Sequence, residues 1–195
     1  SSEARRCWAS GWTARAIAYR ERQGFRNEPV WIAVVVQQMF ASEVAGVLFT
    51  ANPITSNPDE LLLNSSWGLG EAVVAGRVDP DQHRVEKRTL AIREKDIRDK
   101  RLMVVRGDEG GGSGEVAVPE ELRRREALPD ERVRELCEIG GRIEAHFGFP
   151  QDIEWGFAQG RFAILQSREI TGADLDCSEG MEAWQTPAAR AELTS

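Results

Sequence analysis

The sequence predicts an α+β fold in which a mostly antiparallel sheet packs with two main helices. Apolar residues recur at helical spacing early in the chain and again around residues 130–147. Short β-branched runs separated by Pro, Asn and Gly turns fill much of the intervening chain. Near the end, two apolar alternations flank a Gly-containing turn, the pattern of a β-hairpin.

Ala4, Trp8, Trp12, Ala16 and Tyr19 keep one helical face, so Glu3 to Arg22 is expected to form one amphipathic helix ending near Gly24. Its tryptophans are expected to pack in the core. The β-branched run from Val30 to Met39 predicts a buried strand, Val44 to Thr50 a second, and Glu60 to Asn64 a third after the turn at Pro53 and Asn57-Pro58. Gly68-Leu69-Gly70 has Val73 where a dinucleotide fingerprint needs its third glycine, and no Walker lysine follows. Two readings of it stay open: a turn that lets backbone approach a neighbouring loop, or a contact with a bound ligand or another domain.

Between Asp81 and Arg106 charged and apolar residues alternate, predicting half-exposed strands, with His83 at the surface. Gly110-Gly111-Gly112-Ser113-Gly114 has the composition of a flexible loop. Pro129-Asp130 opens the second helix, whose apolar face carries Val133, Leu136, Cys137, Gly140, Ile143 and Phe147 before Gly148 and Pro150 close it. His146 sits near its end, where a histidine can stabilise terminal carbonyls.

The hairpin carries the chemistry. A two-residue loop at Gln159-Gly160 puts Glu154 and Gln166 on opposite faces, because side chains alternate along a strand and a one-residue slip inverts the set. A three-residue loop from Ala158 to Gly160 instead pairs Glu154 with Ile164 and Asp152 with Gln166, and Gly160 takes the left-handed position. In this expected register Glu154, Gln166 and Arg168 share one face, and Ile153, Trp155, Phe157, Ala163 and Leu165 share the other. A carboxylate and an amide carbonyl are oxygen ligands of the kind Mg²⁺ accepts, and an arginine offers a planar fork to a phosphate. Taken alone, the hairpin also fits an ordinary solvated charged face.

Composition narrows the classes. The chain has 195 residues, 41% of them hydrophobic, enough for one domain with a substantial core. Against 32 acidic residues stand 25 basic ones, a net charge of −7 that disfavours nucleic acid as a partner. Cys7, Cys137 and Cys177 are too few and too widely spaced for a disulfide framework or a zinc motif, which fits a reducing cytoplasm. No apolar run approaches a membrane span, and the first residues lack the apolar stretch of a signal peptide.

The segments Arg6–Ser10, Ala16–Arg20, Val34–Met39, Gly46–Pro53, Trp67–Gly76 and Pro150–Trp155 resemble, in order, the ATP-binding domain of the phosphoenolpyruvate synthase family, which includes pyruvate phosphate dikinase and rifampin phosphotransferase. The resemblance implies an ATP-grasp fold, in which two lobes clamp Mg-ATP, with a phosphohistidine domain and an acceptor domain elsewhere in complete proteins. By motif position, Glu154 and Gln166 look like metal and phosphate ligands, and Arg168 like a catalytic phosphate contact. Gln37 looks like part of the nucleotide pocket, with the backbone near Met39 lining the adenine.

The family's Lys-Ala-x-x-Leu and Arg-Ser-Ser-Ala segments, which hold the phosphates from the amino-terminal lobe, do not occur here, nor does its Thr-Ser-His-Ala run. Residues 1–171 are therefore expected to be the carboxy-terminal part of an ATP-grasp domain and 172–195 a linker-like tail. The expected partners are ATP with Mg²⁺, the missing amino-terminal lobe and a phosphohistidine domain. The implied reaction is phosphoryl transfer from ATP through a histidine to pyruvate or another acceptor, with the isolated chain inactive.

Overall fold

The computed structural model describes residues 2–25, 29–107 and 112–170. The chain divides into two compact units, Ser1–Met39 and Phe40–Ser195. The expected tail, 172–195, and the first two residues of the expected glycine loop, Gly110 and Gly111, lie outside the described residues; its last two, Ser113 and Gly114, begin a strand instead of a loop.

In the first unit the expected single helix is two, α1 (Ser2–Ser10) and α2 (Ala14–Arg22). Thr13 is extended and its hydroxyl accepts the Ala16 N–H, so an N-cap interrupts the helix after Gly11. Neither helix buries a residue, and Trp8 and Trp12 are exposed rather than packed in a core. Trp8 instead donates its indole N–H to the Ile32 carbonyl, 3.1 Å away. The strand expected over Val30–Met39 does not form: no ladder pairs it among the described residues, and Val35 and Val36 are 83% and 95% exposed. A β-branched run becomes a strand only where a neighbour takes up its backbone groups.

The second unit is built on a six-stranded antiparallel sheet, β1 (Val44–Phe49), β2 (Glu60–Trp67), β3 (Asp81–Glu86), β4 (Ile92–Asp96), β7 (Gln151–Ala158) and β8 (Arg161–Glu169), in the order β4-β3-β2-β1-β7-β8. A separate ribbon pairs β5 (Leu102–Arg106) with β6 (Ser113–Ala117). The short helices α3 (Glu71–Val74) and α4 (Glu120–Arg123) precede the long α5 (Asp130–Phe147). Helix α5 ends as its sequence predicts, with Gly148 left-handed at φ 80° and its N–H bonded to the Glu144 carbonyl.

One face of this sheet packs on α5. Leu48, Leu61, Leu63, Val85 and Ile153 meet Val133, Leu136 and Cys137 there, all fully buried. Each large aliphatic chain contributes about 1.5–3 kcal/mol relative to exposure. Gly140 lets the helix lie close, since a Cβ there would fall 2.5 Å from Leu48 Cδ2. Trp155 closes the core against the edge of Phe162, with ring centroids 5.7 Å apart.

Charge is buried in the same layer. Asp81 accepts from Lys100 Nζ at 2.5 Å and from the backbone N–H groups of Arg98 and Ala127, both at 2.9 Å. Lys87 reaches Glu144 of α5 at 3.0 Å, with both side chains almost wholly buried. His83 is buried, not at the surface, because alternation along β3 turns Asp81, His83 and Val85 to the core face. Burial, then the neighbouring Lys95 charge, hold its pKa below the ordinary histidine value.

Candidate functional site

The other face of the sheet carries the candidate site. Across β2, β1, β7 and β8 one row reads Asn64, Val47, Glu154, Gln166, and the next reads Leu62, Phe49, Asp152, Arg168. Such cross-strand neighbours stand about 5 Å apart at Cβ. A depression of about 190 Å³ opens there, with Val47 and Phe49 among its lining residues together with Asn64, Asp152, Glu154 and Arg168; Val73 and Val74 of α3 wall it.

The hairpin reaches this arrangement by a route that differs from the expected one. The loop has two residues, Gln159 and Gly160, at φ 52° and 76°, and Ala158 pairs with Arg161. Both torsions are positive, as in the turns that match strand twist. Trp155 therefore pairs with Ile164, and the ladder then shifts so that Glu154 pairs with Gln166 and Asp152 with Arg168. Leu165 is the extra residue of a β-bulge, and it restores to one face what a regular two-residue hairpin would separate. The expected pairs Glu154 with Ile164 and Asp152 with Gln166 are corrected accordingly. Ala163 lies opposite Gly156 on the face of Glu154, while Phe162 and Ile164 take core-side positions.

The side chains of Glu154 and Gln166 make no hydrogen bond or ion pair with described residues, so a carboxylate and a carboxamide oppose each other with their oxygens uncommitted. Arg168 is engaged: its Nε and Nη2 donate to Asp152 Oδ2 at 2.8 and 2.7 Å. Asp152 is nearly buried, whereas the Arg168 side chain is 63% exposed, so the acid fixes the stem and leaves part of the guanidinium open. Sequence reasoning missed this orienting role. Its signal was the i, i+2 pair Asp152/Glu154 facing Gln166/Arg168.

Gln37 and Met39 belong to the first unit and lie outside any helix or strand, both exposed. The hairpin residues come together within the second. The walling helix follows Gly68, at φ 81°, where a Cβ would fall 2.3 Å from the Val104 carbonyl oxygen and so has no room. Leu69 N–H bonds that same oxygen at 2.7 Å, so the turn approaches a neighbouring segment as its sequence predicts. At the helix start, Ser113 and then Arg77 hold the Glu71 carboxyl below the usual carboxylate range.

No described helix is long and apolar enough to cross a membrane. The family profile described as pyruvate phosphate dikinase, AMP/ATP-binding domain, matches residues 2–184. A phosphoenolpyruvate synthase of Pyrococcus furiosus is 50% identical over 174 residues, covering 86% of this chain and 21% of the relative. A probable phosphoenolpyruvate synthase of Pyrococcus horikoshii is 48% identical over 185 residues, 91% of this chain and 22% of the relative. The rifampicin phosphotransferase of Bacillus subtilis is 42% identical over 170 residues, 85% of this chain and 19% of the relative. The chain thus spans about a fifth of the length of these relatives. With a matching profile over most of its length, the chain belongs to the pyruvate phosphate dikinase AMP/ATP-binding domain family.

Proposed function

We propose that this chain is the carboxy-terminal part of an ATP-grasp domain, over residues 1–171, that binds Mg-ATP for a cytoplasmic phosphoenolpyruvate synthase-like phosphotransferase. Residues 172–195 lead toward the rest of such a protein. The observation that carries the reading is the opposition of Glu154 and Gln166, two free oxygen donors on one face beside an arginine already oriented by Asp152. Mg²⁺ takes one or two protein oxygens and fills its remaining positions with phosphate oxygens and water, which suits this pair.

Phosphoryl transfer needs little covalent help, so positioning and charge supply most of the catalysis. Glu154 and Gln166 hold the metal, Arg168 faces developing phosphate charge, and Gln37 with the backbone near Met39 accommodates the base. A phosphohistidine on another domain carries the group onward. Pyruvate is the acceptor in this reading, with rifampicin as the alternative, and the acceptor domain elsewhere in such a protein decides between them: relatives named phosphoenolpyruvate synthase are 42–50% identical to the chain and rifampicin phosphotransferases 42–43%.

The test is complementation. The chain alone is expected to bind Mg-ATP weakly and cleave none, and an amino-terminal lobe from a relative, added in trans, is expected to restore ATP cleavage that Glu154→Gln abolishes. Binding without cleavage in the mixture would identify a non-catalytic nucleotide module. Histidine phosphorylation by the isolated chain would overturn the division of labour.

A further inference from the structure

At the outer corner of the sheet, on the face opposite Glu154, three ligand-type side chains converge. His83 comes from β3, Glu126 from the segment before α5, and Asp130 is the first residue of α5. One ligand atom from each lies within 4.8 Å of the others. Around a tetrahedral ion with bonds near 2.0–2.1 Å, ligand atoms stand about 3.3 Å apart, a gap that modest side-chain rotation closes.

His83 supplies an independent sign. It is fully buried, yet neither Nδ1 nor Nε2 has a hydrogen-bond partner among described residues, and Nε2 points toward Glu126 Oε1 at 3.6 Å. A buried imidazole without a partner is costly, and such a group calls for an explanation. A cation already occupies the position between the acids: Lys95, the cross-strand neighbour of His83, donates to Glu126 at 2.8 Å and also to Asp130. Its side chain is 30% exposed, so the ammonium can swing into water.

We propose that His83, Glu126 and Asp130 form a divalent transition-metal site of the zinc class, for which the Lys95 ammonium is a resident competitor. The imidazole nitrogen selects such ions over Mg²⁺, which prefers oxygen. Two carboxylates balance a dication once the lysine leaves, and water completes the coordination. A bound ion joins the β3–β4 corner to the start of α5, so its role is to staple the sheet to its helix rather than to act on nucleotide.

The test is Zn²⁺ titration of the metal-free full chain carrying Cys7→Ser and Cys177→Ser, followed by calorimetry and thermal unfolding, with Co²⁺ absorption reporting coordination. One equivalent is expected to bind and to raise Tm. Lys95→Met is expected to tighten binding about tenfold, and Asp130→Asn to weaken it about tenfold and to lose the Co²⁺ tetrahedral bands. Both positions are partly exposed, so neither variant depends on disturbing the buried His83. Any other result, whether no zinc binding or binding indifferent to either substitution, overturns the proposal.

Discussion

Glu154 faces Gln166 directly across the β7–β8 ladder, and Leu165 is the unpaired residue that makes this possible. Without the bulge, the two-residue turn would set Glu154 opposite Leu165 and send Gln166 to the core face. The site therefore depends on one local irregularity, and its neighbours can be tested one at a time.

Asp152 and Arg168 are expected to act as a unit on nucleotide. Arg168→Ala should weaken Mg-nucleotide binding about ten- to a hundredfold, the loss of a charge-assisted contact worth about 1.5–3 kcal/mol. Asp152→Ala should weaken it less, and the double variant should match Arg168→Ala alone, because the acid only orients the guanidinium. Calorimetric titration of the four proteins decides this, and additive losses would show that Asp152 acts independently.

Two glycines should differ sharply. A Cβ at Gly46 would lie 1.8 Å from the Asn64 carbonyl oxygen, a backbone atom held in the β1–β2 ladder. Gly46→Ala is expected to cost more than about 4 kcal/mol, or to prevent folding. At Gly140 the obstacle is the end of the Leu48 side chain, which can rotate, so Gly140→Ala should cost about 1–3 kcal/mol. Urea denaturation orders them.

The buried Lys87–Glu144 pair ties the end of β3 to α5. Lys87→Met leaves a buried carboxylate without its cation and should cost about 3–5 kcal/mol, whereas Lys87→Met with Glu144→Leu should recover most of that loss. Chemical denaturation of the single and double variants measures the coupling.

Cys137 is fully buried, and burial pushes its thiol up to about 12. Below about pH 8.5, the ordinary thiol pKa, the group is protonated in both folded and unfolded chains and adds no pH dependence. Above it the unfolded chain ionises while the folded one does not, so stability should fall as pH rises from about 8.5 towards about 12. In the native protein at pH 8, iodoacetamide should modify exposed Cys7 and spare Cys137 until denaturant is added.

Much of this arrangement was legible in the sequence where one local signal dominated. The spacing of Val133, Leu136, Cys137 and Gly140, closed by Gly148, gave α5 its limits, and the β-branched run after Val44 gave β1. The side chains of the candidate site were legible as well, but the register joining them was not. Leu165 is apolar and fits either face, so nothing in its identity marks it as the extra residue. Burial of Lys87 and Lys100 was hidden for another reason: the carboxylates that make it tolerable, Glu144 and Asp81, lie 57 and 19 residues away along the chain. The run from Val30 to Met39 carried a strand's composition but no pairing neighbour among described residues.

The most direct measurement is chemical-shift mapping of the isotope-labelled chain titrated with a non-hydrolysable ATP analogue, with and without Mg²⁺. The account predicts Mg²⁺-dependent shifts centred on the Gln166 carboxamide, the Glu154 backbone and the Arg168 guanidinium, lost in Glu154→Ala. Shifts that ignore Mg²⁺, or that fall elsewhere and survive that substitution, would contradict it.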